Sequence, residues 1–390
     1  MSDELHSSTH PPLPPTTEDG RCAWLRLLRS RRVGVQTFWR LIGEHGTAQA
    51  ALDALPAVAR GAGVDRYEPF SEKAARAELA AGYASGARLV CRGEADYPGD
   101  LATIDGAPPL LWITGDPSVL HRPMIALVGA RNASSLGGRM ARQLASELGK
   151  AGFVVVSGLA RGIDTAAHEA ALETGTVAVV AGGVDVDYPI ENAKLGASIV
   201  KHGGARISEA PMGLQPQARH FPARNRIISG MARAVIVVEA ASKSGSLITA
   251  RTALDQGREV LAVPGHPFDG RAGGCNALIR DGARLIRGID DVLEALPPAA
   301  QPRDLQATLP LSDIPAALAA ATPRTKSTGV KDIAALHGAI LDRLGPTPVA
   351  EDQLIRDLGA PTAKVAPVLV ELELDGAIDR APGGLLTRAS

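Results

Sequence analysis

Two segments of this chain carry residues well suited to hold an anion. FPARNRIISG (Phe221–Gly230) brings Phe221, Arg224, Asn225 and Arg226 to the start of an apolar helix, and SGLARGIDTAAH (Ser157–His168) sets Arg161 between Gly158 and Gly162. Guanidinium groups present forked donors that match phosphate, and an asparagine amide adds further hydrogen bonds. In the second segment a strand ending before Ser157 opens into a helix, so free backbone N–H groups at a positive helix end come with it. Two more segments repeat the pattern. GARNASSLGG (Gly129–Gly138) offers Gly129, Arg131, Ser134 and Ser135, and EAASKSGSLITA (Glu239–Ala250) offers Lys243, Ser244, Gly245 and Ser246. Several phosphate-competent loops at one sheet edge suit an extended nucleic-acid backbone better than a single nucleotide.

Other residues of these loops are expected to serve packing. Asp164 reads as a helix cap and His168, one turn later, as an imidazole held beside it. In GGVDVDYP (Gly182–Pro189) the glycines let backbone approach a ligand, whereas Asp185 and Asp187 oppose direct phosphate contact. The Gly129–Gly138 loop is not G-x-G-x-x-G, and no acid stands where a ribose would need one, so no nicotinamide cofactor is expected. Cys22, Cys91 and Cys275 are too few and scattered for a zinc cluster or disulfide framework, so neither metal nor cofactor is expected and a reducing setting is. Only Phe153, Tyr188, Phe221 and Phe268 are aromatic in the central block. Binding should therefore draw mainly on phosphates, with little sequence preference.

The elements that position these loops show in the apolar pattern. Runs at Met124–Val128, Phe153–Val156, Val177–Ala181, Ala205–Ile207, Ala234–Glu239 and Glu259–Val263 alternate with helical stretches. Near-continuous apolar strands between helices predict a parallel sheet covered on both faces. The fold class is α/β: a Rossmann-like core with a mainly parallel sheet, a small all-helical N-terminal module and a C-terminal winged helix. The expected division is a disordered tail at 1–20, a helical module at 21–95, the core at 96–296, a Pro/Ala/Thr-rich linker at 297–331 and the winged helix at 332–390. Charge follows these boundaries. Lys+Arg against Asp+Glu is 12 to 15 over residues 1–120, 20 to 14 over 121–290 and 6 to 9 over 331–390. A polyanion should meet the basic centre rather than the acidic ends. With no apolar run of membrane-spanning length and no signal pattern, a soluble, cytoplasmic protein without a membrane partner is expected.

The collinear motifs YPGDLATIDGAPPLLWITGD, ALVGARNASSLGG, SGLARGIDTAAHEAAL, GGVDVDYPIEN, ISEAP, FPARNRIISG, VVEAASKSGSLITA, VPG and GGCNALIRDGA closely resemble the DNA-processing protein A family (DprA, also called Smf) over roughly residues 95–290. The resemblance implies a cytosolic, non-enzymatic protein that binds single-stranded DNA as a homodimer and loads the RecA recombinase during natural transformation. Its DNA-contacting motifs fall on Gly129–Ser135, Ser157–Asp164, Phe221–Arg226 and Lys243–Ser246. Some relatives have a basic residue after the Tyr-Pro pair, where this chain has Ile190. The homodimer is expected through NALIRDGARLI, with Leu278, Ile279, Leu285 and Ile286 near the last strand. Two rival functions are a nucleotide-processing enzyme and a scaffold recruiting partners through its end domains. The enzyme would resemble phosphoribohydrolases, with SKSGSLITA near their Gly-rich loop but without a PGGxGTxxE-type motif or a spaced catalytic set.

Overall fold

The structure is a computed structural model that describes residues 13–296 and, between 338 and 388, a discontinuous set. Its contacts divide the chain into two units, Met1–Gln301 and Pro302–Ser390.

Four helices open the first unit: α1 (Glu18–Arg29), α2 (Val35–His45), α3 (Ala48–Gly61) and α4 (Glu72–Ala84). Thr17, Thr47 and Ser71 cap α1, α3 and α4, each side chain accepting a backbone N–H that the helix leaves unpaired. Thus α1 begins inside the stretch whose composition suggests a tail. The strands β1 (Arg88–Cys91) and β2 (Leu110–Gly115) flank the short α5 (Gly99–Ala102) and pair antiparallel. Neither is apparent in the sequence, because β1 is brief and Pro108 and Pro109 obscure the start of β2.

The alternating region follows: β3 (Met124–Val128), α6 (Ser135–Lys150), β4 (Val154–Ser157), α7 (Ile163–Ala170), β5 (Thr176–Val179), α8 (Ala193–Lys201), β6 (Ala205–Ser208), α9 (His220–Met231), β7 (Ala234–Val237), α10 (Ser246–Asp255), β8 (Glu259–Ala262), α11 (Gly273–Arg280), β9 (Arg284–Leu285) and α12 (Ile289–Ala295). All six strands expected from the apolar runs are present. The sheet order is β1-β2-β6-β5-β4-β3-β7-β8-β9, parallel from β6 to β9 and antiparallel at β1 and β2.

Strand side chains alternate between two faces. Met124, Ala126 and Val128 of β3 join Ile227, Ile228 and Met231 of α9 and Leu247 of α10, whereas Ile125 and Leu127 join Leu144 and Leu148 of α6 and Ile163 of α7. Both faces are therefore dry, which is why the strands read as unbroken apolar runs, and each buried aliphatic contributes roughly 1.5–3 kcal/mol. The chain proceeds from β3 to β6 on one side, then from β7 to β9 on the other. That reversal opens a crevice beyond the carboxyl ends of β3 and β7, the usual ligand position in such sheets.

The helical module shares a core with the antiparallel edge, where Leu25, Phe38 and Leu79 meet Leu89, Leu110 and Trp112. Polar groups bridge the same seam. Glu78 pairs with Arg29 at 2.9 Å and accepts the Trp112 indole N–H at 3.1 Å, and Arg29 also donates to the Glu209 carbonyl at 3.1 Å.

In the second unit β10 (Val349–Ala350), β12 (Leu385–Arg388) and β11 (Ile378–Ala381) form an antiparallel sheet in that order, on a core that includes Ile340, Leu354, Val365, Leu369 and Leu372. It is a winged helix. The expected linker lies outside the described residues.

Candidate nucleic-acid interface

Two adjoining cavities, of about 320 and 720 Å³, lie beyond the carboxyl ends of β5, β4, β3 and β7 and share Arg131, Ala160, Phe221 and Arg224 in their walls. The larger covers the switch point and adds Asn132, Asn225, Lys243, Ser244, Gly245, Ser246 and Arg271. The smaller adds Gly158, Arg161, Tyr188, Ile190 and Glu191. One continuous groove thus collects Arg131, Gly158, Arg161, Phe221, Arg224, Asn225 and the Lys243–Ser246 loop from segments far apart in the chain.

Arg224 forms its floor. The residue is only 6% exposed, its Nε is buried without a partner, and its guanidinium has no hydrogen bond among the described residues. Burial draws its pKa down to about 10, against an opposing pull from Asp164 and with a further push from Arg131, so it stays a cation at neutral pH. A buried cation without hydrogen bonds is costly, and an anion entering the groove would relieve that cost. The guanidinium lies where a side chain on Gly158 would otherwise go, so any Cβ there would collide with it. The Phe221 ring lies 5.1 Å from the Arg131 guanidinium carbon and 6.0 Å from that of Arg224, in cation–π range.

The loop from Ser157 to Gly162 is held by groups that face inward. Leu159 has φ +54, a left-handed conformation uncommon for a non-glycine residue. His168 accepts its N–H at Nε2 (3.3 Å), and Asn192 donates to its carbonyl at 2.9 Å. The Thr176 hydroxyl donates to the Val155 carbonyl at 2.7 Å, so it accepts from His168 Nδ1, 2.7 Å away, and the imidazole carries its proton on Nδ1. His168 is therefore a packed structural residue, but Thr176 holds it and not Asp164. The Asp164 carboxylate instead accepts the N–H groups of Gly158 (3.1 Å) and Ala160 (3.3 Å), organising the turn before its helix. Burial raises its pKa, with Arg224 and these donors opposing.

This arrangement has a pH consequence. Burial pushes the His168 pKa down from 6.5 to about 3, with Arg224 acting in the same direction. The unfolded chain takes up a proton below about pH 6.5 that the folded imidazole refuses until about pH 3. The His168 contribution to stability is intact above that window and falls by roughly 1.4 kcal/mol per pH unit within it. Urea-unfolding midpoints measured between pH 7 and 4 should decline less steeply in His168→Gln than in the natural chain. Parallel declines would show that His168 titrates freely in the fold.

Several residues expected to face phosphate are committed elsewhere. Ser134 caps α6, and its N–H (2.9 Å) and hydroxyl both donate to the Glu239 carboxylate, so an internal anion fills that helix end. Ser135 lines neither cavity. Ser157 is fully buried and donates to the Leu127 carbonyl at 2.6 Å. Gly162 packs against the Ala130 and Arg131 carbonyls, and Gly129, in the wall of the larger cavity, packs against the Ile163 side chain and the Glu239 carbonyl, so neither has room for a side chain. Arg226 pairs with Glu209 and donates to the Gly106 carbonyl, bracing α9 against the antiparallel edge. The first N–H groups of α10 have local acceptors, Ser246 in the Ser244 hydroxyl (3.3 Å), Leu247 in the Ser244 carbonyl and Ile248 in the Gly245 carbonyl, and Lys243 beside them is exposed.

Tyr188, one of the four central aromatics, completes the site together with Asn192, Glu239 and Arg271, which residue type alone does not mark. The motif GGVDVDYPIEN carried a signal for the first two, and a lone acid leaving an apolar strand carried one for Glu239. The Tyr188 and Phe221 rings have centroids 5.8 Å apart, so aromatic surface is concentrated in the groove. Of the residues expected between subunits, Leu285 is 45% exposed on edge strand β9 and Leu278 and Ile279 are partly buried. Ile286 is fully buried in the sheet core and is unavailable for such a contact.

Residues 88–297, over half of the chain, match the sequence family described as DNA recombination-mediator protein A. The chain belongs to this family. Flanking the DNA recombination-mediator protein A region, residues 18–81 match a DprA-like N-terminal HHH domain and residues 315–384 a DprA winged helix domain. The chain is 38% identical over 291 residues to protein Smf of Escherichia coli, covering 74% of each. It is 46% identical over 199 residues to DNA processing protein DprA of Streptococcus pneumoniae, covering 50% of this chain and 70% of that one. The X-ray structure of the Streptococcus pneumoniae DprA superposes with a TM-score of 0.53 at 35% identity, over 68% of this chain and 99% of that one.

Proposed function

We propose that the groove binds the phosphate backbone of single-stranded DNA, with Arg131, Arg161, Arg224, Asn225 and the Lys243–Ser246 loop as its contacts. The observation that carries this reading is the buried Arg224 guanidinium, without a hydrogen bond among the described residues, between two cavities that adjoin along the sheet edge. A flexible strand can follow loops at several strand ends, whereas rigid duplex touches few of them at once. Catalysis finds little support: both His168 ring nitrogens are engaged inside the fold, and Asp164 is turned into its own loop.

The DNA so held would pass to the RecA recombinase during transformation, in the cytoplasm. Family membership supports the first part, and three buried free thiols fit a reducing compartment. A homodimer through β9 and α11, using Leu285 with Leu278 and Ile279, fits the exposed edge. The winged helix would contact protein, since residues 331–390 hold 6 basic against 9 acidic side chains.

One titration series tests the whole reading. Oligo-dT should bind at least tenfold more tightly than duplex of the same length at moderate salt. A chain ending at Pro297, checked by light scattering to be the same dimer, should match the full chain within about threefold in affinity. Equal binding of duplex and single strand would reject the groove assignment. A tenfold loss on truncation, about 1.4 kcal/mol, would assign the grip to the winged helix.

A further inference from the structure

The groove differs in charge between its ends. Toward β7 its wall carries Lys243 and Arg271, and its one carboxylate, Asp164, is buried under the loop. Toward β5 the smaller cavity is bounded by Asp187 and Glu191, with side chains 45% and 57% exposed, and by Ile190, which is 73% exposed. A phosphodiester chain running past β5 would meet two carboxylates and an apolar residue, with the exposed Arg161 cation beside Glu191. A strand can enter over β7 far more easily than it can leave over β5.

What the smaller cavity offers matches one nucleotide at a strand end. Arg224 and Arg131 stand at its junction with the larger cavity, placed for a last phosphate. Tyr188 and Phe221 supply ring faces for one base, and a volume of about 320 Å³ is at the small end of ligand sites. Asp187 and Glu191 are acceptors only, each with an arginine beside it: Arg206 at 3.0 Å and Arg161 at 3.8 Å. Such groups attract a sugar hydroxyl, which can donate to them, and repel another phosphate.

Resting on the single-strand reading above, we propose that this cavity captures the terminal nucleotide of a DNA strand by its free hydroxyl, so that the protein docks at strand ends. The hydroxyl can belong to a 5′ or a 3′ terminus, and the experiment separates the two.

An internally labelled short oligo-dT is displaced by four unlabelled competitors of equal length: linear with two hydroxyl ends, linear with a 5′ phosphate, linear with a 3′ phosphate, and a covalently closed circle. The circle should compete at least tenfold less well than the dihydroxyl strand. Phosphate at one terminus should weaken competition and thereby identify the captured end. In Glu191→Lys, where a phosphate could pass, the difference between circle and linear strand should shrink at least threefold. Circle and linear strand competing within twofold would overturn end capture while leaving single-strand binding intact, as would tighter binding of either phosphorylated strand. An unchanged ratio in Glu191→Lys would overturn the charge argument on which the proposal stands. Absence of binding by any single strand would remove the underlying reading itself.

Discussion

Arg224→Ala should bind oligo-dT about thirty- to a hundredfold more weakly than the natural chain, a loss of roughly 2–3 kcal/mol for a buried, charge-assisted phosphate contact. The slope of log affinity against log salt should fall by about 0.7, the value for one phosphate contact on a single strand. The substitution also leaves the buried Asp164 without its nearby cation, so part of the loss could come through the fold. Arg224→Lys keeps a charge beside Asp164 while removing the fork, and should recover stability better than affinity. Arg226→Ala is the control. Its side chain serves Glu209 and Gly106 rather than the groove, so thermal stability should drop while the salt slope stays unchanged. Affinity within threefold of the natural value in a folded Arg224→Ala would exclude this guanidinium as a DNA contact.

Gly158→Ala should come close to the same loss without removing a charged group. The added methyl must displace the Arg224 guanidinium, the flexible end of a side chain, so the fold can adapt while the phosphate contact cannot. We expect at least a tenfold loss of affinity with a small change in melting temperature. The double variant Gly158→Ala/Arg224→Ala should bind no worse than Arg224→Ala alone, because both changes remove one interaction. Fully additive losses would mean that Gly158 acts through its own backbone, independently of Arg224.

The contrast between Arg224 and Arg226 shows where residue type stops being informative. Both flank Asn225 and both enter an apolar helix, so composition and motif treat them alike. An α-helix turns about 100° per residue, so side chains two apart point to nearly opposite faces. One therefore reaches the crevice and the other reaches Glu209. The period was readable, but which face met the crevice was not. Ser134 is a similar case. A serine at a helix start is a sound phosphate donor by local rules, and the carboxylate that occupies it comes from Glu239, 105 residues later.

The sequence by itself determined the layered α/β core, because strands buried on both faces must be apolar throughout and each helix between them must carry one apolar stripe. It also marked which loops carry donors, since basic and hydroxyl residues cluster where the apolar runs of β3, β4 and β7 end and where α9 begins. Tertiary structure decided which donors remained available. Strand order brought the loops after β3 and β7 side by side, Glu239 used up one helix end, and His168 with Thr176 held Leu159 in its left-handed turn. Each of these depends on groups that are distant in the chain and adjacent in the sheet. Local pattern records what a residue can do, and whether its hydrogen bonds are already satisfied depends on which neighbours the fold brings to it.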